Sequence, residues 1–204
     1  MSTIPIKSAS TVPRSRVVFL QSFTLLWMLL ECGISLYSAV RAHSPVLFAF
    51  GFDSFVELLS ASLVILSLAP RFHYNQRSIN RASGLLLFIL AAVVAFTSAL
   101  SLLGKLQPEA SPLGIAITFA ALLVMPLLAW QKRKLAQAIE HHALAADAVQ
   151  SATCAYLAAL SLSGLVLNAW FHIAWADSLA ALAAIPILIV EGRRAMRGQN
   201  CSCC

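Results

Sequence analysis

The chain has 204 residues, 60% hydrophobic and 11% charged, with a mean hydropathy of +0.83. Soluble domains carry about 25% charged residues; this composition excludes that class, and repeated long apolar runs define an all-α polytopic membrane protein. The formal net charge of +6 does not point to nucleic acid, because the cations cluster between apolar runs and no aromatic-basic patch accompanies them.

Residues 1–15 are polar, with Ser, Thr and two prolines, and predict a disordered cytoplasmic lead. The first span covers 16–40 and carries Glu31. Lys7, Arg14 and Arg16 ahead of an apolar run resemble the start of a signal peptide, but no small-x-small cleavage site follows Leu30, so an uncleaved span is expected. After the short loop Arg41-Ala42-His43, Ser44-Pro45 reads as an N-cap with proline in the first turn. It opens a second span over 45–69. A basic loop at 71–77 leads to the third span, 79–103, whose one charged residue is Arg81 near its start.

Ser111-Pro112 repeats the cap-and-proline start, and the fourth span runs to about residue 130, with Pro126 predicted to kink it. Residues 131–142 form the longest predicted connection and carry Lys132-Arg133-Lys134. The fifth span, 143–168, is rich in Ala, Ser and Gly, which favours close helix packing. Trp170, His172 and Trp175 mark an interface belt. The sixth span, 176–190, has Asp177 at its start and Pro186 within it. The expected organisation is a six-helix membrane domain over 16–191 and a cytoplasmic tail over 192–204, ending Cys201-Ser202-Cys203-Cys204.

Basic residues set the orientation. With six spans, the lead, the second-to-third loop, the fourth-to-fifth loop and the tail share one side and hold all the cations except Arg41 and Lys105. The positive-inside rule then places both termini in the cytoplasm.

Asp53 and Glu57 are the only charges in the second apolar run, and they stand at i and i+4 on one helix face. Each lies roughly a third to half of the way across the span. An isolated charge at that depth costs on the order of 2.5–3.5 kcal/mol or more, which makes the pair a functional candidate, with a structural hydrogen-bonded pair as the alternative. On the fifth span Asp147, Gln150 and Cys154 fall at i, i+3 and i+7 and share a face. Carboxylates with a thiolate suit zinc and other borderline or soft divalent ions better than magnesium or calcium. Taken singly, Cys154 also reads as apolar filling and Gln150 as a helix-to-helix hydrogen bond. Glu31 needs a partner or water. Asp177 fits an N-cap as well as a functional role. His141 and His142 stand at the cytoplasmic mouth, as a metal relay or as solvated loop residues. Cys201, Cys203 and Cys204 form a soft-metal cluster, read as a metal-scavenging tail or as a reactive or lipid-modified one, and a disulfide is not expected in a reducing compartment.

The paired acids of Phe50-Gly51-Phe52-Asp53-Ser54-Phe55-Val56-Glu57 and the Ala146-Asp147-Ala148-Val149-Gln150-Ser151 segment resemble the cation diffusion facilitator (cation efflux) family. So do Val124-Met125-Pro126-Leu127-Leu128, Cys154-Ala155-Tyr156-Leu157, Trp175-Ala176-Asp177 and Glu191-Gly192. Within that family the chain more closely resembles a small bacterial branch without the C-terminal cytoplasmic domain. The resemblance implies a divalent-metal/proton antiporter of the bacterial inner membrane, with a homodimer among the family's properties. It places the transport site at Asp53, Glu57, Gln150 and Cys154, where Gln and Cys stand at positions that carry His or Asp and Asp in the wider family. Asp147 lies one turn toward the cytoplasm and can compensate.

The expected function is proton-coupled efflux of a divalent transition metal, zinc foremost, with lipid, metal and protons as partners, no resident cofactor and no enzymatic activity. The alternatives are a membrane metal sensor or scaffold, and an intramembrane aspartyl hydrolase built on Asp53 and Asp147.

Overall fold

A computed structural model describes residues 14–67, 76–105, 107–139, 142–171 and 173–197. They form six helices and, among the described residues, no strand: α1 (Arg14–Ala42), α2 (Pro45–Ser67), α3 (Gln76–Leu102), α4 (Pro112–Ile139), α5 (His142–Phe171) and α6 (Ala174–Arg197). All six are long and apolar enough to cross a membrane. A helix satisfies its own backbone hydrogen bonds, which is why such segments can lie in hydrocarbon.

Two of the helix starts are capped as expected. Ser44 Oγ accepts the Leu47 N–H at 3.2 Å, and Ser111 Oγ accepts the Gly114 N–H at 3.0 Å. At the end of α1, His43 takes a left-handed φ of 50°, and the Ser44 N–H returns to the Ala39 carbonyl at 3.1 Å. Gly104 closes α3 in the same way, with φ 74° and a 3.0 Å bond from the Lys105 N–H to the Leu100 carbonyl.

Helix α2 is the hub, packing against α1, α3, α5 and α6. Its apolar window is also the most enclosed of the six. Helices α1, α2, α4 and α5 surround one interior. Helices α3 and α6 pack closely on each other beside it, with their backbones in contact where Gly84 meets Gly192. Large apolar residues on the outer faces, among them Phe19, Leu26, Phe96, Leu123 and Leu127, are exposed and would face lipid in a bilayer.

One end of the bundle is fastened by polar contacts. The Glu109 N–H donates to the Ala42 carbonyl at 2.8 Å, and Asn168 Nδ2 donates to the Pro108 carbonyl at 3.0 Å. Asp177 does not cap its own helix. Its carboxylate crosses to the start of α2, where it accepts Ser44 Oγ–H at 2.5 Å and the Val46 N–H at 3.2 Å. A buried carboxylate on α6 thereby caps a different helix, with the favourable sign for an anion at a helix N-terminus.

The fourth span differs from expectation. Helix α4 does not stop near residue 130 but continues to Ile139, so most of the expected basic connection is helical. Gln, Lys, Arg, Leu and Ala are good helix formers, and the buried positions Met125, Leu128, Lys132 and Ala136 hold one helical face throughout. Residues 1–13, His141, His172 and the Cys201, Cys203 and Cys204 cluster lie outside the described residues.

Candidate functional site

At about 1.5 Å per residue, Asp53 and Glu57 lie roughly 12 and 18 Å from the start of α2. Both carboxylates are buried, and so are Glu31 on α1 and Asp147 on α5. Four acids from three helices therefore converge on the interior between α1, α2, α4 and α5. Their side chains divide into two adjoining groups.

The group around Glu57 and Asp147 is built on Lys132. The sequence places Lys132 in the basic fourth-to-fifth connection; the structure places it on the buried face of α4, fully enclosed. Its ammonium lies 2.9 Å from Asp147 Oδ2, 3.2 Å from Glu57 Oε1 and 2.7 Å from Ser151 Oγ. These are three acceptors for three N–H donors. Ser151 in turn donates to Glu57 Oε1 in a short hydrogen bond. Gln21 on α1 donates its amide to Asp147 Oδ2 at 2.9 Å.

The second group centres on Glu31. Ser54 Oγ and Cys154 Sγ donate to its Oε1 at 2.6 and 3.3 Å, and Trp27 Nε1 donates to its Oε2 at 2.7 Å. Asp53 faces Gln150, whose amide nitrogen lies 3.5 Å from Asp53 Oδ1, at the long limit of a hydrogen bond.

The five residues expected to bind metal are thus all drawn into one polar interior, but they do not form one coordination shell in this conformation. Glu57 and Asp147 share the Lys132 ammonium, Asp53 meets Gln150, and Cys154 turns to Glu31. Among the described residues, no three His, Cys, Asp or Glu side chains are arranged to hold a metal ion as they stand. Acceptor capacity is nevertheless left over. Asp53 Oδ2, Glu57 Oε2 and Asp147 Oδ1 are buried without a hydrogen-bond partner. Unpartnered carboxylate oxygens in an apolar interior are costly, and they are hard donors suited to a cation.

Sequence reading missed Lys132, Gln21, Ser54 and Ser151 as members of the site. Lys132 had a legible signal, because it continues the helical period of Met125 and Leu128. Four interior acids also require a balancing cation. Gln21 and Ser54 carried no signal beyond being polar residues in apolar spans.

Six membrane-length helices around buried carboxylates fit a protein that handles cations within the membrane, and comparison with known families agrees. The model of the cation efflux transmembrane domain matches residues 80–198, more than half of the chain. The protein belongs to the cation efflux family, whose members transport metal cations. The matched segment contains Lys132, Asp147, Gln150, Ser151 and Cys154, while Glu31, Asp53 and Glu57 lie ahead of it. No curated protein matches the chain.

Proposed function

We propose that the protein exports a divalent transition metal, zinc foremost, from the cytoplasm in exchange for protons. The observation that carries this reading is the set of unpartnered carboxylate oxygens on Asp53, Glu57 and Asp147, buried together in a cation transporter. Asp53 and Glu57 are the principal ligands, with Asp147, Gln150 and Cys154 completing the site from α5. Asp147 and Cys154 are a carboxylate and a thiol on one helix, a donor mixture that favours zinc and cadmium over manganese. Metal binds the deprotonated form of such ligands, so loading releases protons and protonation from the far side expels the metal. Alternating access follows from rocking of helices around the fixed site. Both termini face the cytoplasm of a bacterial inner membrane, and a homodimer is the expected assembly.

The test is zinc flux in proteoliposomes under an imposed pH gradient. Wild type should move zinc only when the gradient is present. Asp53→Asn and Glu57→Gln keep side-chain shape and remove charge; each should abolish flux while the protein remains monodisperse. Cys154→Ser retains a hydroxyl donor for Glu31 but loses the soft ligand, so it should fold normally and lose cadmium and zinc preference over manganese in competition. Wild-type rates in the Asp53 or Glu57 variant would remove that residue from the site.

A further inference from the structure

The transport reading leaves Lys132 without a role, and this inference rests on that reading. The ammonium sits where a cation bound by Glu57 and Asp147 would sit, with an oxygen acceptor for each of its three donors. It enters from α4, whereas the acids stand on α2 and α5. It carries one positive charge against two carboxylates, and the second oxygen of each, Glu57 Oε2 and Asp147 Oδ1, stays unpartnered. The site is thus occupied by a cation that satisfies it incompletely. A divalent ion matches both charges and can engage the remaining oxygens of Glu57 and Asp147.

The geometry points to Lys132 as a tethered counter-cation that holds the carboxylates of the empty carrier and is displaced by the divalent cargo, setting its affinity and its release. While the ammonium fills the site, only a fraction of molecules can accept metal, and apparent affinity falls by that fraction. The same ammonium returns to the carboxylates as the metal departs, which prevents two bare charges from being left in the apolar interior. The lysine stem has four flexible methylenes, and its neighbours Arg133 and Lys134 are exposed at the same end of α4, so the ammonium can swing toward that end without unwinding the helix. Lys132 keeps its charge throughout and changes only its position, so Glu57 and Asp147 need no proton in either state, and the protons exchanged for metal are those of the other ligands, Asp53 and the Cys154 thiol. No aspartate, glutamate or serine alone could do this, because the competitor must be a cation fixed to the protein.

Zinc binding to purified protein in lipid nanodiscs, at one fixed pH, tests the idea with wild type, Lys132→Gln and Lys132→Arg. Lys132→Gln should bind zinc at least about tenfold tighter than wild type and show slower turnover at saturating zinc. Its metal-free form should melt below wild type, and zinc should raise its melting temperature by more than it raises that of wild type. Lys132→Arg retains a competing cation and should bind zinc no tighter than wild type. If Lys132 is only a strut joining α4 to α2 and α5, Lys132→Gln will lose stability while its zinc affinity is unchanged or weaker, and that result overturns the inference.

A second measurement needs no variant. A small membrane-permeant amine reagent followed by mass spectrometry should label Lys132 of wild type little without zinc and more with zinc. Labelling that zinc leaves unchanged or lowers also overturns it. Wild type that neither binds nor transports zinc would sink the transport reading and this inference together. Wild type that transports zinc, alongside an unchanged Lys132→Gln affinity, would sink the inference alone.

Discussion

Glu31 shows how a carboxylate is held inside an apolar bundle. An ionised carboxylate only accepts hydrogen bonds, and Glu31 receives one each from Ser54, Cys154 and Trp27. Glu31→Gln keeps the shape but turns one acceptor into a donor. Trp27 can only donate, so the amide oxygen turns to it and the NH2 turns to Ser54 and Cys154; Ser54 can accept by sending its hydrogen to the Phe50 carbonyl, 3.0 Å away, which leaves the Cys154 contact as the one lost. The expected cost is about 0.5–1.5 kcal/mol, the net worth of one hydrogen bond. It would be measured as a lowered melting temperature in detergent. Trp27→Phe removes a contact that the carboxylate and the amide both keep, so its loss should add to that of Glu31→Gln; a double variant that recovers stability would deny this arrangement. Part of this arrangement is legible in sequence, since Trp27 and Glu31 stand at i and i+4 of one helix. Ser54 and Cys154 are not, because they arrive from α2 and α5 and nothing local specifies which helices meet.

At the scale of the element, local signals account for where most helices begin. Ser44-Pro45 and Ser111-Pro112 cap and start α2 and α4 through contacts within a few residues, so a sequence motif suffices. The end of α4 is different. A basic triplet looks like a loop when charge is read as exposure, but the helix continues and turns one of its three cations inward.

Helix pairing depends on small residues whose importance emerges only in three dimensions. A Cβ on Gly84 would lie 2.7 Å from the Gly192 carbonyl oxygen, a backbone atom that cannot move aside without shifting α6. Gly84→Val should therefore part α3 from α6 and destabilise by about 1–3 kcal/mol, the range of overpacked cores. Gly33 is the internal control, because a Cβ there meets nothing within 4 Å. Gly33→Ala should be neutral or stabilising by about 0.5–1 kcal/mol, from the better helix propensity of alanine. Thermal unfolding of the two variants side by side separates packing from propensity; equal effects would contradict the close approach at Gly84.

For the whole molecule, the positive-inside bias survives the removal of Lys132 from the solvated cations, since Arg133 and Lys134 remain exposed beside it. Tags at Met1 and Cys204 should therefore both resist external protease in intact cells and become cleavable once the membrane is permeabilised. Cleavage of either tag from outside would reverse the proposed orientation. The polar fastening around Asp177, Ser44, Glu109 and Asn168 lies at the other end of the bundle from the C-terminus of α4, so in that orientation it lies at the extracytoplasmic face. In the proposed orientation the Lys132 end would adjoin the cytoplasmic side, from which the proposed cargo is loaded.

Sequence alone determined the membrane class, the six spans, two helix caps and the acidic positions on α2 and α5. These follow from hydropathy, helical period and contacts within one turn, all properties of short segments. Tertiary structure decided the partners. It brought Lys132 and Gln21 to Asp147, Cys154 to Glu31, and Asp177 to the start of α2, across separations of 15, 126, 123 and 133 residues along the chain. The reason is physical. In a bilayer every helix satisfies its own backbone, so segment hydropathy fixes that a span exists but leaves its rotation and neighbours open. Those are settled by close packing at small residues and by burying polar groups against one another, and a buried charge selects its partner only once the helices that carry both have packed.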